Sequence, residues 1–126
     1  MMISITESEW KVMEVLWEKS PVSLKEILNV LKVKTPWSTT TVRTLLVRLM
    51  DKGAVEADKA TTNFKYYPLI EKEVCQIQET KNLLDRVFNG SIGALVSTLV
   101  KESDLTQEDQ EELMNIISKM KIEEVD

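Results

Sequence analysis

Residues Pro36 to Gly53 read PWSTTTVRTLLVRLMDKG, a helix with both of its ends spelled out, and a two-strand pattern follows at once. Ser38 is a good N-cap, because its hydroxyl can accept from the free N–H groups of a first turn. Trp37 before it can pack back on the core. Val42, Leu45, Leu46, Leu49 and Met50 recur at helical spacing and form one apolar face. The opposite face carries Thr40, Arg43, Thr44 and Val47, flanked by Thr39, Thr41 and Arg48. Gly53 suits the C′ position, where left-handed backbone ends a helix.

The flanking segments narrow the architecture. Thr6-Glu7-Ser8-Glu9 is a capping-box pattern and opens a first helix, whose stripe is Trp10, Met13, Leu16 and Trp17 with Val12 and Val15 alongside. Pro21 and Val22 form a short extended link. Ser23-Leu24-Lys25-Glu26 is a second capping box and opens a short helix with Leu24, Ile27, Leu28 and Leu31 inward. Val33 to Pro36 is the turn into the Ser38 helix. After Gly53, Ala54 to Ala57 alternates as a strand, residues 60–63 are polar and turn-like, and Phe64 to Tyr67 is a second strand. Pro68 places that strand at an edge or marks its end. Three helices and a hairpin in this order predict a winged helix-turn-helix in a mostly α chain. Other folds also set three helices beside a hairpin, so architecture alone does not establish DNA binding.

Charge separates the two halves. The whole chain carries a net −5, but residues 1–70 carry +2 and residues 71–126 carry −7. Between Lys19 and Lys65 nine basic residues face four acidic ones, while Glu7, Glu9, Glu14 and Glu18 all lie on the first helix. The basic field therefore covers the second helix, the third helix and the wing, and local field matters more for phosphate binding than whole-chain charge. Small hydroxyls interleaved with arginine at a helix N-terminus suit the major groove, where arginine can pair with guanine or grip a phosphate. An ordinary solvated helix face uses the same residue types, and two solubilising surfaces of opposite sign would give the same tally.

At 126 residues the chain suits one domain, or one domain with an appendage, and 43% apolar content supports a packed core. No apolar run approaches the roughly 20 residues of a membrane span. The N-terminus has no basic stretch leading into an apolar core, so no signal peptide is expected. With a single cysteine there is no internal disulfide, and a cytoplasmic protein is expected. Residues 71–126 read as helical. Val74, Ile77, Leu84, Val87 and Phe88 mark one helix, and Asn89-Gly90 breaks it. Ser91 caps the next, with Ile92, Leu95, Val96, Leu99 and Val100 on one face. Ser103-Asp104 is a second break, and Thr106 with Asp109 opens a last helix lined by Leu113, Ile116, Ile117 and Met120. The acidic tail Lys121 to Asp126 is expected to fray. Three short helices make a poor core alone, which predicts that two chains share one; packing back on the chain's own first half is the other arrangement.

The patterns W-x-x-M-x-x-L-W at Trp10 to Trp17, W-S-x-x-T-V-R-T-L-x-x-R-L at Trp37 to Leu49, K-G at Lys52-Gly53, Y-Y at Tyr66-Tyr67 and L-V-x-x-L-V-x-E-x-D-L-T at Leu95 to Thr106 cover nearly the whole chain. Together they resemble the penicillinase-repressor family, which takes in the BlaI and MecI repressors, with the copper-responsive CopY repressors as relatives. The resemblance implies a winged-helix DNA-binding domain over residues 1–70 and a helical dimerisation domain over residues 71–126. It implies a homodimeric repressor on a palindromic double-stranded operator. By position it assigns Ser38, Thr39, Thr40, Thr41, Arg43 and Thr44 to the DNA face, with Arg48, Lys52 and Lys65, and also Lys59, toward the backbone. Leu84, Val87, Phe88, Ile92, Leu95, Val96, Leu99, Val100, Leu113, Ile116 and Ile117 are the expected dimer residues.

Two features depart from the family pattern. Antibiotic-responsive members are induced by cleavage at an asparagine–phenylalanine bond, and the corresponding Ser97-Thr98-Leu99-Val100 has no such pair. An inducing protease or effector is therefore not identified. The copper-responsive members carry a cysteine cluster, whereas this chain has only Cys75, read as a small core residue. No metal and no cofactor are expected. No enzyme is expected either: histidine is absent, and there is no Gly-rich phosphate loop or nucleophile elbow. The rival to a repressor is a winged-helix protein-interaction module that reads no DNA.

Overall fold

The computed structural model describes residues 3–102 and 104–125, with side chains through Lys119. Ser103, the side chain of Met120 and the side chains of the 121–126 tail, all read above from sequence, lie outside the described residues. The order is α1 (Glu7–Lys19), β1 (Val22–Ser23), α2 (Leu24–Leu31), α3 (Thr39–Asp51), β2 (Val55–Asp58), β3 (Lys65–Pro68), α4 (Lys72–Phe88), α5 (Ile92–Glu102) and α6 (Gln107–Val125). Two compact units divide the chain, Met1–Thr80 and Lys81–Asp126.

Local chemistry sets the helix starts of the first unit. Thr6 caps α1 and Ser23 caps α2, and in both the Glu three residues on returns its carboxylate to the cap N–H. Thr35 ends the α2 turn with its N–H on the Leu31 carbonyl at 2.8 Å. The core is then built from one stripe per helix: Val12, Met13, Val15 and Leu16 of α1, Ile27 and Leu31 of α2, and Val42, Leu45, Leu46 and Leu49 of α3. Ile5, Val22 of β1, Ala54 just before β2, Val55 of β2 and Cys75 of α4 complete it. Each large aliphatic buried here contributes roughly 1.5–3 kcal/mol relative to exposure. The first-helix tryptophans flank this core rather than fill it. Trp10 and Trp17 are half-buried, meet edge to face at 5.1 Å, and Trp17 Nε1 donates to the Ile70 carbonyl at 2.9 Å.

The sheet corrects one detail of the sequence reading. It has three antiparallel strands in the order β1-β3-β2. The link at Val22 is itself a strand, pairing Val22 with Tyr66 and Ser23 with Lys65. The Phe64–Tyr67 strand is therefore central rather than at an edge, and Pro68 is tolerated because it is the last residue, opposite Val55. Early in α4 the buried residue is Cys75, whereas Val74 and Ile77 are exposed.

In the second unit Ser91 precedes and caps α5, its hydroxyl accepting from the Ala94 N–H at 3.1 Å. Thr106 and Asp109 exchange reciprocal hydrogen bonds at 3.0 and 3.2 Å and open α6. The α6 backbone is helical through Val125, past the point where fraying is expected. Ser97–Val100 lie inside α5. Among the described residues of this unit none is buried. Leu84, Phe88, Leu95, Val96 and Leu113 are half-buried, and Val87, Ile92, Leu99, Val100, Ile116 and Ile117 are exposed. Among the described residues no single helix is long and apolar enough to cross a membrane.

Candidate nucleic-acid interface

The third helix is fixed at both ends by its own sequence. Ser38 is the N-cap, and its Oγ accepts from the Thr41 N–H at 3.2 Å and lies 3.2 Å from the Thr41 hydroxyl. At the other end Gly53 adopts φ +80°. Its N–H reaches the Met50 carbonyl at 3.0 Å, and the Ala54 N–H reaches the Leu49 carbonyl at 2.9 Å. These two bonds form a Schellman motif, which satisfies the last carbonyls of the helix.

Between the caps the face away from the core is open. Thr39, Thr40, Thr41, Arg43, Thr44 and Arg48 are all exposed. Their hydroxyls are not equivalent. Thr41 is engaged with the Ser38 cap, and the Thr44 hydroxyl donates to the Thr40 carbonyl at 2.9 Å. Thr39, Thr40, Arg43 and Arg48 make no side-chain hydrogen bond or ion pair among the described residues. Uncommitted donors of this kind are what a ligand rich in acceptors can take up.

The expected lysines divide in the same way. Lys65 stands on the central strand and pairs with Glu26 of α2 at 3.1 Å, with both side chains about half exposed to water. An exposed pair of this kind is worth about 0–1 kcal/mol, so an incoming phosphate can displace Glu26 at little cost. The Lys65 ammonium and the caps of α2 hold the Glu26 carboxyl below its ordinary pKa. Lys59 stacks over the Phe64 ring at 5.6 Å near the wing tip. Lys52 is committed elsewhere. Its ammonium donates to Glu9 Oε1 and, at 2.7 Å, to the Ser4 carbonyl. A groove of about 870 Å³ runs between α2, α3 and the hairpin. Leu24, Leu28, Val47, Met50, Phe64 and Tyr66 line it, and Lys25, Arg43, Lys59 and Lys65 bring four cations against Glu26. Lys25 belongs to the basic field of the sequence, but no spacing singled it out.

Cys75 is buried in the core of the first unit, and burial, with the Glu79 charge beside it, pushes its thiol pKa up. A protonated buried thiol is chemically quiet.

Comparison with known proteins fits this geometry. The chain is 36% identical over 115 residues to the methicillin resistance regulatory protein MecI of Mammaliicoccus sciuri, covering 91% of this chain and 94% of MecI. It is 30% identical over 117 residues to the penicillinase repressor of Bacillus licheniformis, covering 93% of this chain and 91% of that protein. Among solved structures, the monomeric form of Bacillus licheniformis BlaI in complex with the blaP half-operator matches with a TM-score of 0.51 at 34% identity. That match covers 57% of this chain and 89% of the BlaI chain. The penicillinase repressor family model matches residues 5–119. The fold is thus a winged helix-turn-helix followed by a helical region, and the chain belongs to the penicillinase repressor family.

Proposed function

We propose that the protein is a homodimeric transcriptional repressor that covers a palindromic operator, with α3 in the major groove of each half-site and the wing against the flanking backbone. The observation that carries this reading is the uncommitted face of α3: Thr39, Thr40, Arg43 and Arg48 are exposed between two closed helix caps, beside a basic groove. Thr39, Thr40 and Arg43 are the base-reading candidates. Arg48, Lys25, Lys59 and Lys65 grip phosphates. Ser38, Thr41 and Thr44 hold the helix start in shape with the hydroxyls they have already spent locally. Lys52, a phosphate contact by sequence position, is removed from that set because its ammonium is taken by Glu9 and Ser4.

The relatives support the reading by what they are. One is a named resistance regulator, one a penicillinase repressor, and BlaI is described in complex with a half-operator. Dimerisation rests on the apolar side chains that the second unit leaves uncovered, Ile92, Leu99, Val100, Ile116 and Ile117 foremost. A symmetric dimer mirrors its axis in the DNA, so half-sites lie about 10 bp apart, or a multiple of that, when both recognition helices meet one face of the duplex.

The test is selection of bound fragments from a random DNA pool at near-physiological salt. An enriched palindrome is expected, with affinity falling steeply between about 50 and 200 mM salt as phosphate counterions are released. No enrichment from folded, dimeric protein would hand the fold to the protein-interaction reading.

A further inference from the structure

Glu9 and Lys52 have separate duties in the sequence and one in the fold. Glu9 is the N3 residue of α1 and closes its capping box, and Lys52 is the C-cap of α3. Glu9 Oε1 accepts from the Thr6 N–H at 2.9 Å and also from Lys52 Nζ. The same ammonium holds the Ser4 carbonyl at 2.7 Å. The Glu9 side chain is 1% exposed and that of Lys52 32%. Glu9 Oε2 meets no hydrogen-bond donor among the described residues. A carboxylate this enclosed stays charged only while its cation is present.

We propose that Glu9 and Lys52 are positioning residues for DNA binding: their ion pair pins the end of α3 to the first turn of α1 and so sets the angle at which Thr39, Thr40 and Arg43 meet the duplex. The inference rests on the repressor reading above. Its physical basis is leverage. Apolar packing along Val42, Leu45 and Leu49 is non-directional and resists separation more than rotation. The ion pair is directional and acts at one end of the helix. At 1.5 Å per residue α3 is about 20 Å long, so a tilt of roughly 5° at Lys52 moves the Thr39 end by about 1.7 Å. Bidentate recognition of a base does not survive a displacement of that size.

The full-length protein and three variants, Glu9→Gln, Lys52→Met and the double variant Glu9→Leu/Lys52→Met, would be compared on the selected operator and on random duplex. Circular dichroism would report folding, and affinity would be measured across a salt series. Glu9→Gln takes the countercharge from Lys52 and leaves its ammonium only neutral acceptors, the amide oxygen and the Ser4 carbonyl. We expect it to weaken operator binding at least ten-fold, with random-duplex affinity and the salt slope unchanged. If Lys52 instead touched phosphate, loosening its ionic hold would strengthen binding. Operator affinity at or above wild type in folded Glu9→Gln therefore overturns the proposal. Lys52→Met strands the buried carboxylate and is expected to be the least stable of the three. The double variant removes both charges at about the same volume, together with the Thr6 capping bond, so it answers the question where a single variant unfolds. It should fold, discriminate operator from random duplex less well, and keep the wild-type salt slope. Wild-type discrimination, or a slope smaller by about one, overturns the proposal. A wild-type protein that selects no DNA fails the repressor reading itself and takes this proposal with it, whereas selective binding by every variant fails only the positioning role.

Discussion

Arg43 and Lys52 lie nine positions apart on and just past one helix, both cationic, and the structure gives them opposite circumstances. Arg43 is exposed on the rim of the groove, without a partner among the described residues. Lys52 is drawn in by a carboxylate 43 residues away in sequence. Replacing Arg43 by Ala should therefore cost specific operator affinity, on the order of 1–3 kcal/mol for a lost bidentate contact, with thermal stability unchanged. Fluorescence-polarisation titration on operator and random duplex measures this, and equal losses on both would make Arg43 a phosphate contact rather than a base reader. Arg43 could be picked out from sequence because periodicity alone fixes which helical residues face away from a core. The duty of Lys52 could not, because the burial of its partner depends on tertiary packing. Glu9 reads from sequence only as a capping residue, and nothing local says that its other contact is the end of α3.

At the level of elements, what could be read was whatever is settled within four residues. The Thr6–Glu9, Ser23–Glu26 and Thr106–Asp109 pairs and the Gly53 stop are closed locally, and each stands where the sequence puts it. The two-residue strand β1 was not legible. Val22 and Ser23 are too few to show alternation, and they become a strand only because Tyr66 and Lys65 arrive beside them. The same arrival moves the hairpin's second strand from edge to centre. Gly53 supplies the sharpest test here. A Cβ at that position would meet nothing within 4 Å, so any penalty is one of backbone conformation alone. Gly53→Ala should lower stability by about 1–2 kcal/mol, the cost of left-handed backbone for a residue with a Cβ. Gly53→Asn should lose less. Thermal unfolding of the three proteins compares them directly, and equal midpoints would mean that the Schellman turn opens without consequence.

For the whole molecule, charge and burial divide along the chain in the same sense. The first unit carries the basic field and a closed core; the second is acidic and has no buried residue among those described. The sequence could show that residues beyond 71 are helical and apolar on one face, but not which surface covers that face, because amphipathicity specifies burial and not a partner. If a second copy covers it, Leu99→Glu, at a site 45% exposed in the single chain, should turn the dimer into a monomer in sedimentation at micromolar concentration. The N-terminal unit should stay folded. Operator affinity should fall far more than half-site affinity, since the second half-site then no longer binds as an intramolecular event. A Leu99→Glu protein that remains dimeric would place the shared core elsewhere.

The burial of Cys75 has a practical consequence. The chain has one thiol, and it is sheltered and held protonated inside the first unit. A fluorophore or spin label can therefore be attached to a cysteine introduced at Asn63, on the exposed wing tip, with the native residue left in place. A probe there reports in real time whether the wing approaches a duplex, with no background from the native thiol.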